Sequence, residues 1–148
     1  MNTLLQKIWP SLPAMLAMVL VISAGCSTTG AGKSEEIKVK LTGDQQNPPV
    51  KTAASGSGTI VISSDKSVRG SISTTGVDAT AAHIHEAPAG KNGPVIIPLT
   101  KGPDNTWSVG PGAKLTDAQY ASYLAGNLYV NVHSAANKGG EIRGQLKP

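Results

Sequence analysis

The sequence predicts an all-β fold, a Greek-key β-sandwich or barrel of about eight strands with one short helix near residues 117–125. Short runs alternate apolar and polar residues, as where Ile37, Val39 and Leu41 are separated by lysines. Glycine, proline and aspartate interrupt these runs at the spacing that is typical of sandwiches and barrels. A single segment departs from the β pattern and has helical periodicity.

Eight segments have the residue pattern of strands: 37–41, 59–63, 67–73, 81–86, 95–99, 105–109, 128–133 and 140–146. A turn at Ser64-Asp65-Lys66 joins the second and third segments in a predicted hairpin. Residues 43–58 include Asn47-Pro48-Pro49, and proline offers no N–H to a sheet ladder. We therefore expect this stretch to be a loop and not a central strand.

The predicted helix begins with a capping box. In Thr116-Asp117-Ala118-Gln119, the threonine and glutamine side chains can satisfy the free amides of a helix start. Tyr120, Tyr123 and Leu124 then share one face, which we expect to pack on the core or to act as a lid. Gly126 suits the end of the helix.

The first 25 residues are typical of a lipoprotein signal peptide. Lys7 is followed by an apolar stretch at 12–22, and the small residues Ala24 and Gly25 precede Cys26, the single cysteine of the chain. The pattern departs from a lipobox at Ser23, where leucine or valine is usual. We expect lipidation of Cys26, a flexible tether over 26–34 and one domain over 35–148. A plain signal peptide or an uncleaved anchor remains the alternative.

Lipidation predicts a cell-envelope protein that is held at a membrane by its N-terminal lipid. Ser27, in place of aspartate, favours the outer membrane if the host is Gram-negative; in a Gram-positive host the anchor would be the cell membrane. The domain contains neither cysteine nor methionine, so no disulfide can staple it. We expect a monomer, and the sequence does not indicate a protein partner.

Charge and motif content exclude two classes of function. The chain has 13 basic and 9 acidic residues, and both signs are interspersed. Because there is no basic run with interleaved aromatics, we exclude nucleic-acid binding. No order of Ser, His and Asp or pairing of carboxylates indicates a nucleophile or an acid–base pair, so catalysis by side chains alone is not expected.

All three histidines lie in two strand segments, and this is the main functional signal. Alternation places His83 and His85 on the face opposite Ile84, and it places His133 opposite its branched apolar neighbours. We expect the three imidazoles on the outer surface. If the two strands are neighbours, His83, His85 and His133 can bind one Cu(II) or Zn(II) ion. The alternative is that they are solvated or hydrogen-bonded surface histidines.

Three further polar residues surround the predicted site. A hairpin centred near Asn137 sets Glu141 opposite His133 and Arg143 opposite Asn131. Glu141 could then accept the second N–H of an imidazole, which would orient that ligand. Alternatively, Glu141 and Arg143 form an ordinary cross-strand ion pair. Glu86 has the parity of Ile84, so it is not expected to be a ligand.

Three motifs, in order, resemble the CHRD domain, which is named after chordin and is widespread in exported bacterial proteins. They are Leu41-Thr42-Gly43 with Asn47-Pro48-Pro49-Val50 and Ala54-Ser55-Gly56, then Ala82-His83-Ile84-His85 with Gly90 and Gly93-Pro94-Val95, and finally Leu128-Tyr129-Val130-Asn131-Val132-His133-Ser134 with Gly139-Gly140-Glu141-Ile142-Arg143-Gly144-Gln145-Leu146. They span about 36–146. The sequence departs from the family pattern at Glu86-Ala87 and at Lys138. The resemblance implies a β-sandwich but little about function.

A weaker resemblance reaches the β-barrel of copper/zinc superoxide dismutase, and it implies that His83, His85 and His133 take the place of three copper ligands. The bridging histidine, zinc loop and disulfide of that enzyme are missing, and Gly140 stands where its anion-steering arginine would be. We consider three functions, from the most to the least favoured by the sequence. They are a metal-binding module, a structural or protein-interaction module of the envelope without metal, and superoxide dismutation.

Overall fold

The computed structural model describes residues 33–148. The strands are β1 (Ser34–Leu41), β2 (Ser55–Ser63), β3 (Val68–Thr75), β4 (Ala79–Glu86), β5 (Val95–Lys101), β6 (Thr106–Val109), β7 (Leu128–Ser134) and β8 (Ile142–Leu146); the helix is α1 (Asp117–Leu124), and a short 3-10 turn covers Gly43–Gln45. Predicted lipidation at Cys26 and the signal peptide lie outside the described residues, as does the tether up to residue 32. Ser34, at its end, opens β1.

The eight strands form one antiparallel sheet in the order β1-β2-β3-β6-β5-β4-β7-β8. The hairpin-connected strands β4, β5 and β6 have β7 beside β4, which is a Greek-key arrangement. Reciprocal backbone hydrogen bonds of 3.0 Å between Thr42 and Arg143 bring the two ends of the sheet together into a nearly closed barrel. The predicted all-β fold with eight strands and one helix is confirmed.

Alternation along the strands fills the barrel interior. On β1, Ile37, Val39 and Leu41 are buried, while the lysines between them are exposed. The same parity buries Ile84 on β4 and Val130 on β7, both fully inaccessible to solvent. Burial of these side chains contributes about 1.5–3 kcal/mol each relative to exposure, so the alternation fixes which face of each strand points inward.

The expectation of a loop over residues 43–58 was wrong at its end, since β2 begins at Ser55. Gly56 and Gly58 pair with Leu41 and Val39 in the ladder. A Cβ at Gly58 would lie 2.1 Å from the carbonyl oxygen of Ser71, so the neighbouring backbone leaves room only for glycine. Because the inward positions 56 and 58 are glycines, the segment has no apolar alternation, and the sequence pattern did not indicate a strand there.

The capping box of α1 is present as predicted. Thr116 Oγ1 accepts a hydrogen bond from the Gln119 amide at 3.2 Å, and Gln119 Oε1 accepts one from the Thr116 amide at 2.9 Å. Tyr123 is buried, but Leu124 is 56% exposed and does not join the packed face. Within residues 33–148, no helix is long and apolar enough to cross a membrane.

Candidate metal centre

The two strands that carry the histidines are neighbours, which is the condition for a shared metal site, because β4 and β7 pair directly in the sheet. Ala81 lies opposite His133, His83 opposite Asn131 and His85 opposite Tyr129. All these side chains share the face that points away from the barrel interior. One ring nitrogen from each histidine can be chosen so that the three lie within 4.8 Å of one another.

The three imidazoles lie on the outward face of the sheet, as predicted, but the expectation that all of them are surface residues was wrong for His85. His85 is 7% exposed, and His83 and His133 are half-buried. Two loops, residues 42–54 and 87–94, fold over this face and form what we call the loop cover. Gln46 of the first loop donates to Asn131 Oδ1 at 3.3 Å, and Asn92 of the second donates to the Asn47 carbonyl at 2.7 Å, which ties the two loops together.

Backbone carbonyls determine the tautomers of two histidines. His85 Nδ1 lies 3.0 Å from the Gly93 carbonyl oxygen, and His133 Nδ1 lies 2.8 Å from that of Lys138. A carbonyl only accepts, so both Nδ1 atoms must carry the hydrogen. In a neutral ring the Nε2 atom then has the lone pair, which is the form that binds a metal ion.

His83 and His133 contact each other directly. His83 Nδ1 and His133 Nε2 are 3.1 Å apart. Because His133 Nε2 has the lone pair, His83 Nδ1 donates in this contact. Two nitrogens at about 2.0–2.1 Å from a tetrahedral ion are separated by about 3.3 Å, so this pair has nearly the spacing of two ligands of one ion. For both atoms to bind, the hydrogen of His83 would have to move from Nδ1 to Nε2.

His85 Nε2 is the most informative atom of the site. It is buried, has a lone pair and has no hydrogen-bond partner among the described residues. Leaving such a group unsatisfied costs about 1–3 kcal/mol. Trp107 Nε1 is also buried without a partner, but it carries a hydrogen and cannot bind a cation.

The lowered pKa values of His83 and His85 favour neutral imidazole rings. Burial lowers the pKa of His83 below the usual 6.5, and the neighbouring His133 and His85 lower it further. Burial also lowers the pKa of His85; the Gly93 carbonyl opposes this shift, while His133 and Arg143 add to it. Both rings therefore favour the neutral form at pH 7, so binding of an ion requires no net loss of a proton from them.

Glu141 does not orient an imidazole. Its carboxylate accepts from Thr52 Oγ1 at 2.8 Å, and hydrogen bonds from Ser134, Thr52 and Asn137 lower its pKa. Nor do Glu141 and Arg143 form the alternative ion pair, since neither takes part in an ion pair within residues 33–148. The carbonyls of Gly93 and Lys138 orient the histidines instead, and backbone groups leave no signature in the sequence.

Arg143 does lie opposite Asn131, as predicted, but it contacts the loop cover and not a histidine. Its guanidinium donates to the carbonyls of Lys91 and Pro88 at 2.7 and 3.1 Å. It also lies 3.5 Å from the centre of the Tyr129 ring. Arg143 is only 1% exposed, and its hydrogen bonds fasten the 87–94 loop to β8.

Tyr129 was missed by the sequence interpretation. Its ring stacks on His85, with centroids 4.9 Å apart and planes 9° apart, and its hydroxyl accepts from the Gly93 amide at 3.2 Å. The outward parity that Tyr129 shares with His133 could have identified it. Glu86 accepts from Ser122 of α1 at 2.5 Å, which agrees with its exclusion from the ligand set.

Comparison with known proteins gives one match. No curated protein and no solved structure matches the chain. A family model for the CHRD domain matches residues 37–146, which include every strand residue of the site. The chain belongs to the CHRD domain family.

Proposed function

We propose that this chain is a lipid-tethered protein of the cell envelope whose CHRD domain binds one Cu(II) or Zn(II) ion through His83, His85 and His133. The observation that carries the proposal is the buried lone pair of His85 Nε2, which has no partner among residues 33–148. His85 is also one of three histidines whose rings can each offer a nitrogen within 4.8 Å of the other two. A cation would supply the missing partner.

The ligand set favours borderline divalent ions. Neutral imidazoles suit Zn(II) and Cu(II), whereas thiolate and thioether ligands favour Cu(I). The chain after Cys26 has no methionine or further cysteine. Three protein ligands leave a fourth position for water or an exchangeable group, which fits reversible holding or transfer of the ion better than a closed structural site.

Calorimetric titration of the purified protein with Zn(II) or Cu(II) tests this function, and we expect one ion per chain. His85→Asn is the sharpest variant, because its amide can still donate to the Gly93 carbonyl but lacks an equivalent of Nε2. We expect binding to be lost in His85→Asn and in His133→Asn. Glu86→Gln is the control, because this carboxylate contacts Ser122, and it should bind as the original protein does. Undiminished binding in both histidine variants would refute the proposal.

The second candidate is a structural or protein-interaction module without metal. It is favoured by the contact between His83 and His133, which satisfies both nitrogens without an ion. In that case the purified protein binds neither metal stoichiometrically, and a crosslinked envelope partner persists after all three histidines are replaced by asparagine. Superoxide turnover by copper-loaded protein would support the third candidate, and we expect none.

The tether is supported by sequence alone. Cys26 follows Ala24 and Gly25, and β1 begins at Ser34, so a short segment links the lipidated residue to the domain. Mass spectrometry of the membrane-extracted protein should find an N-terminal acylated Cys26, and Cys26→Ser should release the protein from the membrane fraction. An unmodified Cys26 in membrane-bound protein would contradict lipidation.

A further inference from the structure

Gly93 is the point at which the proposed ligand His85 is held. Its carbonyl accepts from His85 Nδ1 at 3.0 Å, and its amide donates to the Tyr129 hydroxyl at 3.2 Å. One residue of the loop cover is thus bonded on one side to the imidazole and on the other to a tyrosine of the adjacent strand.

The same tyrosine also restrains the imidazole plane. Tyr129 lies opposite His85 in the β4–β7 pair, and their rings are nearly parallel. Tyr129 is 1% exposed, so neighbouring groups hold its ring in place. Rotation of the His85 ring out of this plane would lose the stacking and the hydrogen bond to Gly93 together.

Arg143 completes the arrangement from β8. Its guanidinium covers the Tyr129 ring and donates to two carbonyls of the loop that carries Gly93. Because β7 lies between β4 and β8, the three side chains form a row across neighbouring strands. The row ties the loop to the sheet within a few residues of the histidine.

We propose that Tyr129 is a positioning residue of the metal site: its hydroxyl holds Gly93 so that the Gly93 carbonyl fixes His85 with Nε2 free for the ion, and Arg143 assists by fastening the same loop. The inference rests on the proposed function, because it assigns a role in metal binding. Groups that orient a ligand through its second nitrogen commonly contribute about 10- to 100-fold to metal affinity.

Tyr129→Phe is the appropriate test, because it retains the ring and removes only the hydroxyl. We expect the dissociation constant for Zn(II) to rise about 10- to 100-fold. Tyr123→Phe is a matched control: Tyr123 is equally buried, and its hydroxyl donates to Glu35 at 3.1 Å, away from the histidines. It should lower thermal stability but leave the Zn(II) dissociation constant unchanged.

A second measurement distinguishes failure of this inference from failure of the proposed function. Long-range ¹H–¹⁵N NMR of the metal-free protein reports which nitrogen of His85 carries the hydrogen. We expect the Nδ1–H tautomer in the original protein and in Tyr123→Phe, and a mixture of tautomers in Tyr129→Phe. This readout does not require metal binding.

The outcomes separate clearly. If the original protein binds no metal, the proposed function fails, yet a tautomer mixture in Tyr129→Phe still shows that Tyr129 positions His85. If Tyr129→Phe retains both the single tautomer and the original Zn(II) affinity, the positioning role is refuted. Should Tyr129→Phe not fold, Arg143→Lys retains the charge but loses the paired carbonyl bonds, and its Zn(II) affinity and His85 tautomer decide the same question.

Discussion

Two pairs of strands in this barrel present very different outward faces. On β2 and β3 most outward side chains are small hydroxyls, with Val61 and Arg69 as the exceptions, and Ser57, Ser73 and Thr75 are exposed. On β4 and β7 the outward positions hold His85, Tyr129 and Asn131, which are at most 7% exposed. Both pairs have the same alternation, so the alternation alone does not decide whether an outward residue reaches solvent.

Chain length between strands explains the difference. β2 and β3 are joined by a tight turn in which the Ser63 amide donates to the Ser67 carbonyl, so that hairpin supplies no chain to cover its sheet. The long loops at 42–54 and 87–94 cover the face of β4 and β7. A polar side chain under such a cover must find a partner within the protein, and the requirement produces an organised site.

The largest expected effect comes from closing the space at Gly93. A Cβ there would lie 1.8 Å from the Glu86 carbonyl oxygen. Gly93→Ala should therefore displace the loop and lower the free energy of unfolding by about 3 kcal/mol, as measured by chemical denaturation. Gly90→Ala in the same loop is the control: nothing lies near its Cβ, and only its positive φ contributes, about 1 kcal/mol. Equal costs would show that the loop is not packed on β4.

Metal binding should raise the melting temperature of the protein, and this rise should depend on residues of the covered face and not on those of the open face. At a free Zn(II) concentration of 100 times the dissociation constant, binding contributes about 2.7 kcal/mol, which corresponds to a rise in melting temperature of about 10 °C or more. His85→Asn should abolish the rise in calorimetric scans. Ser57→Ala on the open face should retain it in full. A rise that persists in His85→Asn would place the ion elsewhere.

Removal of a buried side-chain amide should lower the free energy of unfolding more than removal of an exposed hydroxyl. Asn131→Ala deletes the acceptor of the Gln46 hydrogen bond and a donor to the Gly139 carbonyl, and it should lower the free energy of unfolding by about 1–3 kcal/mol. Ser57→Ala should change it by less than about 0.5 kcal/mol. Urea denaturation measures both, and similar values would contradict the distinction between the two faces.

The smallest effect concerns acid stability. Hydrogen bonds lower the pKa of Glu141 below its ordinary value of 4.5, so the folded state holds its proton less tightly than the unfolded state. This contribution to stability is present above pH 4.5 and is lost as the pH falls below 4.5 through the folded-state value. Denaturation at several pH values should show a weaker dependence below pH 4.5 in Glu141→Gln. An unchanged dependence would mean that Glu141 does not contribute to it.

Much of the fold could be predicted because its determinants are local in sequence. The alternation in β1 and the capping box at Thr116 and Gln119 indicated their elements correctly. The start of β2 at Ser55 could not be predicted, because close approach of the backbone at Gly58 selects small residues and removes the apolar signal. The boundary therefore depended on a contact between strands.

The sequence by itself determined that the three histidines share the face opposite Ile84, Val130 and Val132, because side chains alternate along any strand. Only the tertiary structure decided that this face is covered. In the tertiary structure, backbone carbonyls and not Glu141 orient His85 and His133. Tyr129 stacks on His85, a contact that the sequence did not indicate. Every residue has a carbonyl, so which carbonyls meet the imidazoles is decided by how the loops fold over the sheet.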